Sequence, residues 1–229
     1  SKNDACLYTM KVGNSFIQTV IHVDDYSVFH NNKTLCTQIF NALNAHYTLK
    51  RGPLNHFLGM RVARDSKSNV FTLDQEEYAV SVLKRFGMYD CRTVVCPETQ
   101  LKLSKAQCPP NAQEETEMRD MPYSELVGYI QYLVVCTRPD LAHAASQVSR
   151  FMQNPGKQHW TAALRVLRYL RGTLTHKLHF SKSPVLATLV GFSDADHAGR
   201  PDTRRSHSGY ICKINDTAVA WKSNRQRCV

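Results

Sequence analysis

Two stretches of the sequence set carboxylates together at the ends of strand-like runs. In residues 16–30, FIQTVIHVDDYSVFH, Asp24 and Asp25 stand side by side between two β-rich halves. Ile17, Thr19, Val20, Ile21 and Val23 favour one strand, and Tyr26, Val28 and Phe29 favour a second. The carboxylates then fall at a tight turn. A hard divalent cation takes carboxylate oxygens and fills its other positions with water or phosphate, so such a turn could hold Mg²⁺. Successive strand side chains point to opposite sides, so no more than one of the pair would aim at a given ligand. Asp is also a favoured turn residue, and an ordinary turn is the competing reading. Farther on, Asp194 and Asp196 lie two apart at the end of an apolar run, with His197 next. That spacing allows both to share a strand face as metal ligands, but an ordinary strand exit looks the same. A third pattern is cationic. Arg165, Arg168 and Arg171 recur every three residues beside the apolar positions Trp160, Ala163, Leu164, Leu167 and Leu170. This stripe is either a solvated helix face or a face that contacts phosphates.

The elements that would position these residues can be read from periodicity. Leu35, Ile39, Leu43 and Tyr47 give residues 34–47 one apolar helical face, and Gly52-Pro53 stops it. Residues 57–64 and 70–73 read as a hairpin across residues 66–69. Asp74 followed by Glu77 resembles a capping box, so a helix is expected to start at Asp74 as N-cap. Ala79, Leu83 and Phe86 line its inner face, and Gly87 suits the C′ position. Residues 97–122 carry four of the nine prolines and a polar run, which makes them the best linker candidate. Three helices follow: about 123–137, a second opened by Pro139 and ended before Asn154-Pro155-Gly156, and about 158–171. After Pro184 the pattern returns to strands at 186–192, 209–214 and 218–221. A basic segment then closes the sequence, and Lys222 and Arg225 are its candidate phosphate contacts.

Composition narrows the function classes. The 229 residues carry 29 Lys+Arg against 19 Asp+Glu, a difference of +10. That excess points to a polyanionic partner, nucleic acid before an anionic membrane. With 42% hydrophobic and 21% charged residues, the chain has the balance of a globular protein. No apolar run approaches the ~18 residues that span a bilayer, so no membrane partner is expected. The eight cysteines are scattered without zinc-like pairs. Free thiols in a reducing compartment follow, and the opening residues carry no secretion signal. The expected location is intracellular, in a cytoplasmic particle or the nucleus.

Several segments in order resemble the Pol polyprotein of copia-type retrotransposons. Val23-Asp24-Asp25 within strand-turn-strand resembles the reverse transcriptase catalytic hairpin. Leu54-Asn55-His56-Phe57-Leu58-Gly59-Met60, Gln75 through Tyr78, and Leu83-Lys84-Arg85-Phe86-Gly87-Met88 follow the family's text. Residues 123–140 resemble its Y-x-x-x-V-G…Y-L…T-R-P-D stretch, and residues 159–172 its H-W…R-V-L-R-Y-L-x-G-T stretch. Residues 191–196, with Arg204-Arg205-Ser206 and Ser208-Gly209-Tyr210, resemble the start of its ribonuclease H domain. The resemblance covers nearly the whole chain. In two places the chain departs from the pattern: His22 stands where the family usually carries Tyr, and His197 where it usually carries Trp.

The resemblance implies an α+β fold. A partial palm β-hairpin would occupy residues 1–73 and a helical thumb and connection 74–180, with the linker at about 97–122. A truncated ribonuclease H-like mixed sheet would occupy 181–229. It implies an RNA-directed DNA polymerase that uses Mg²⁺ for nucleotidyl transfer on an RNA or DNA template-primer duplex, with deoxynucleotides as substrates. Asp24 would bind the metal directly, Asp25 would support it, and Asp194 would be the first ribonuclease H carboxylate. Trp221-Lys222-Ser223-Asn224-Arg225-Gln226 resembles the family's W-x-S-x-x-Q segment, which precedes a Glu-bearing helix. A further polymerase Asp would lie before Ser1 and the later ribonuclease H carboxylates beyond Val229. The expectation is therefore a fragment that is inactive by itself. The alternatives are a non-catalytic basic nucleic-acid-binding module and a decayed transposon remnant.

Overall fold

The computed structural model describes residues 4–65, 67–181, 188–196, 199 and 202–226. It divides into two compact units, residues 1–58 and 59–229. The secondary structure is mixed helix and antiparallel sheet, the α+β class the sequence predicts.

The first unit is a three-stranded meander with one helix. Strands β1 (Leu7–Val12), β2 (Ser15–His22) and β3 (Asp25–His30) pair antiparallel in that order. Ile17 lies between Met10 and His30, and Thr19 between Tyr8 and Val28, so these six share a face. Helix α1 (Lys33–Asn44) follows, with the Asn32 side chain capping Leu35 N–H at 3.0 Å. It buries Cys36 but leaves Tyr47, beyond its end, exposed. A two-residue strand β4 (His56–Phe57) lies near the end of the unit. Strand β1 escapes the periodicity reading because Thr9 and Lys11 alternate with larger residues in a run that buries none of them.

The second unit contains the main core. Strands β5 (Met60–Asp65), β6 (Val70–Asp74) and β7 (Leu178–Ser181) pair antiparallel, with β6 between the other two. Helix α2 (Glu76–Arg85) leaves β6 almost at once. Its N-cap is Gln75, not Asp74 as the capping-box pattern suggests. Asp74 still accepts from Glu76 N–H at 3.2 Å. Its carboxylate, almost fully buried, is taken up by Arg61 at 3.1 Å and Lys177 at 3.5 Å. The far end of α2 matches expectation. Gly87 has φ +64, its N–H donates to Lys84 O, and Met88 N–H reaches back to Leu83 O at 2.7 Å. This is a Schellman closure that glycine permits without strain.

Residues 97–122, where proline content suggested a linker, are folded against the helices. They contain a 3₁₀ turn (Lys105–Gln107) and helix α3 (Ala112–Arg119), and they bury Leu103 and Met118 in the core. Helix α4 (Tyr123–Cys136) inserts Leu126, Val127, Ile130 and Leu133, all fully buried. The predicted second helix is irregular: a 3₁₀ turn (Pro139–Leu141), helix α5 (Ala142–Val148) and a second 3₁₀ turn (Ser149–Phe151). Helix α6 (Lys157–Gly172) packs Ala163, Val166, Leu167 and Leu170 inward against α2, α4 and α5. Each fully buried Leu contributes about 1.5–3 kcal/mol, so these helices dominate the unit's stability.

Strands β8 (Leu189–Ala195), β9 (His207–Ile214) and β10 (Thr217–Arg225) form the last sheet. Among the described residues it is antiparallel throughout, with β9 in the middle, not mixed as expected. Antiparallel neighbours in sequence order can be joined directly, so this order needs no crossover helix. The start of the predicted 186–192 strand lies partly outside the described residues. Among the described residues no helix is long and apolar enough to cross a membrane.

Candidate functional site

The adjacent carboxylates sit on the hairpin predicted for them. Val23 and Asp24 form the two-residue turn, and Asp25 opens β3 opposite His22. Asp24 and Asp25 are both exposed. Val23 adopts φ +52, a left-handed conformation that a two-residue hairpin demands and a β-branched residue resists. Strain of this kind costs about 1–3 kcal/mol and concentrates where function fixes a geometry. Asp25 also borders a groove of about 380 Å³ between the β3 face and α1, whose lining includes Tyr26, His30, Phe40 and Arg51. Among the described residues no cluster of three or more His, Cys, Asp or Glu is suited to a metal. Asp24 and Asp25 are exposed oxygen donors at the turn and too few to form a metal site by themselves.

The strand-end pair behaves differently from the spacing argument. Asp194 lies near the end of β8, opposite Gly209, exposed, and its Oδ1 accepts Ala195 N–H at 2.8 Å. It borders a groove of about 370 Å³ lined also by Asp140, His143, Tyr210, Lys222 and Ser223. Asp196 turns away into structure: its carboxylate accepts from His207 N–H, and its own N–H donates to His207 O at 3.0 Å. One Asp196 carboxylate oxygen is engaged in this way, and His197 lies outside the described residues.

Three positions of the W-x-S-x-x-Q segment tie β10 in place. Trp221 Nε1–H donates to Val134 O on α4 at 2.7 Å. Ser223 Oγ lies 2.7 Å from His207 Nε2, and Gln226 N–H donates to Ser206 O at 3.0 Å. Lys222 is exposed beside the Asp194 groove, and Arg225 is exposed at the end of β10.

The arginine stripe of α6 is largely engaged within the protein. Arg165 Nε–H donates to Glu98 O at 2.7 Å, Arg168 to Arg92 O at 2.8 Å and Arg171 to Tyr89 O at 2.5 Å. Residues 89–98 are thereby clipped along the helix. Each guanidinium keeps further N–H donors.

Some residues that periodicity did not single out organise the helical body. Arg138, almost fully buried, makes a forked pair with Asp140 at 3.0 and 2.7 Å and donates to Thr173 O and Oγ1. Burial pushes the Asp140 carboxyl up, but the Arg138 bonds and charge outweigh it and hold it below its usual range. Thr137, beside it, donates to Gln75 Oε1 at 2.8 Å. The T-R-P-D stretch is thus a structural knot. His159, fully buried, accepts Gly156 N–H at 2.9 Å on Nδ1 and places Nε2 3.1 Å from Ser104 O. Burial lowers its pKa, which agrees with a neutral ring protonated on Nε2. Glu98 bonds His143 at 3.4 Å, and its other oxygen accepts from the Cys96 thiol at 2.9 Å. The His143 bond holds the Glu98 carboxyl at about 2, despite partial burial. The signal for Arg138 and His159 was a polar residue in or beside an apolar helical run, whereas Glu98 lies in a loop and carried none.

A family described as reverse transcriptase (RNA-dependent DNA polymerase) matches residues 1–100. The retrovirus-related Pol polyprotein from transposon TNT 1-94 of Nicotiana tabacum is 41% identical over 99% of the chain. That from transposon RE2 of Arabidopsis thaliana is 33% identical over 100%. The chain spans 17% and 15% of those two proteins. The secreted RxLR effector protein 161 of Plasmopara viticola is 50% identical over 49% of the chain, and the match covers 78% of that protein. No solved structure matches. The similarity runs through the Asp24 hairpin, the helical body and the last sheet alike, and the chain belongs to the reverse transcriptase family of copia-type retrotransposon Pol polyproteins.

Proposed function

We propose that this chain supplies the catalytic hairpin, the thumb and connection, and the opening strands of the ribonuclease H domain to an RNA-directed DNA polymerase. The observation that carries this reading is the β2–β3 hairpin, which presents Asp24 at an open, strained turn with Asp25 beside it. Mg²⁺, when bound, would stabilise the attacking and leaving oxygens of nucleotidyl transfer. Asp24 would hold the ion from the turn, and Asp25 would support it from the first position of β3. His22, at the pairing position opposite Asp25, replaces the family's aromatic residue beside the primer end. Asp194 would serve the ribonuclease H centre from the end of β8.

The chain spans 17% of the tobacco polyprotein, so the remaining metal ligands are assigned to other parts of the whole enzyme. The 229 residues alone would bind template-primer duplex without extending it. The working location is intracellular, where the transposon particle assembles. The test is Mg²⁺-dependent primer extension on an RNA template by the polymerase that contains this segment. Asp24→Asn should lower it about 100-fold or more, since a catalytic metal supplies several kcal/mol of charge stabilisation. Unchanged extension would defeat the assignment.

A further inference from the structure

The groove beside the 3₁₀ turn Ser149–Phe151 is strongly cationic. It has a volume of about 340 Å³ and is lined by Lys105, Arg150 and Arg225, with Ser146, Ser149 and Asn224 between them. Its one carboxylate is Asp202, so three cations face a single anion. Asp202 is placed as a floor. Oδ1 accepts Lys105 N–H at 3.0 Å, and Oδ2 takes Arg150 at 3.3 Å. Arg150 is held from the other side by Gln147 Oε1 at 2.7 Å and lies over the Phe151 ring. Its side chain is mostly buried, so its direction is fixed. Lys105 and Arg225 are exposed, and among the described residues neither side chain is ion-paired. Burial and the Arg225 charge together push the Arg150 guanidinium down, although Asp202 opposes them. The groove thus holds more positive charge than its own carboxylate balances.

We infer that this groove is a binding site for the backbone phosphates of a nucleic acid strand. A fixed guanidinium, two exposed cations and small hydroxyl and amide donors suit a charged oxygen ligand that needs no base recognition. The assignment differs from the α6 stripe, whose Nε–H groups already serve backbone carbonyls. It rests on the proposed function, which makes duplex nucleic acid the partner. Asp202 holds the groove in shape and also repels phosphate, so its removal should act opposite to removal of the cations.

The test is fluorescence anisotropy of a labelled RNA–DNA hybrid with the 229-residue chain across a salt series. Each lost phosphate contact lowers the slope of log affinity against log salt by about 0.9. The double variant Lys105→Ala/Arg225→Ala should lower it by nearly two, with a thermal melt matching the wild type. Asp202→Asn keeps an oxygen for Lys105 N–H and should bind more tightly. Calorimetric titration with inorganic phosphate alone should show no comparable binding, because a single phosphate lacks the successive charges of a strand. Wild-type binding with a slope unchanged in the double variant would overturn this site and leave the polymerase reading intact. Absence of any hybrid binding by the folded wild type would overturn both. Tight binding of free phosphate would show a small-anion site and overturn the strand assignment.

Discussion

Single side chains carry sharply unequal shares of this fold. Arg138 is the clearest case, because its buried guanidinium satisfies Asp140 and Thr173 together. Arg138→Ala leaves the partly buried Asp140 without its cation, and breaking such a pair costs about 3–5 kcal/mol. Urea unfolding should show a loss on that scale, whereas a loss under about 1 kcal/mol would mean that the pair is well solvated. Glu98 makes a pH-dependent contribution. Its carboxyl titrates at about 2 in the folded chain against 4.5 ordinarily. Between those values the unfolded chain binds more protons, so stability rises with pH across this window. The Glu98 contribution is complete above pH 4.5 and lost as pH falls towards 2. Denaturant melts across that range should slope less in Glu98→Gln than in the wild type, and identical slopes would contradict the assignment.

At the scale of elements, the backbone is tightly constrained at the β2–β3 turn and at the start of α6. The β2–β3 turn forces Val23 to φ +52 while leaving its side chain 82% exposed, so little packing repays the strain. Val23→Asn keeps a β-carbon and tolerates the left-handed region, so it should stabilise the hairpin by about 1 kcal/mol. Amide exchange of β2 and β3 would show slower opening, and faster opening would argue that Val23 is relaxed. At the start of α6 the constraint is space. A β-carbon on Gly156 would lie 1.8 Å from Gln107 O. Gly156→Ala must displace that backbone and should cost about 1–3 kcal/mol in chemical denaturation, with α6 still formed. Such contacts explain where sequence reading succeeded and where it stopped. Gly87 marked the α2 end because one residue type solves one local problem. Asp74 misled by one position, since Arg61 and Lys177 draw its carboxylate into a buried ion pair and Gln75 becomes the cap. The prolines of residues 97–122 suggested a linker, but Leu103 and Met118 reach the core from segments with little periodicity of their own.

For the molecule as a whole, charge and chemistry turn out to be separate properties. The excess of +10 was legible at once, but its deployment was not. Spacing left Arg165, Arg168 and Arg171 as either a solvated or a phosphate-contacting face, and each spends its Nε–H on a carbonyl of residues 89–98. The less periodic trio of Lys105, Arg150 and Arg225 meets only when distant segments fold together. The carboxylates divide in the same way. Asp24 and Asp25 were legible because a hairpin is local, and Asp194 because it ends a strand. That Asp196 is consumed by the His207 backbone depends on a strand eleven residues away. Under the proposed function, Asp24 and Asp194 serve two different reactions. The most direct test compares Asp24→Asn with Asp194→Asn in the polymerase that contains this segment, scoring DNA synthesis and cleavage of the RNA strand of a hybrid in the same preparation. Asp24→Asn should abolish synthesis and spare cleavage, and Asp194→Asn should do the reverse. Loss of both activities in either variant, or of neither, would contradict the account.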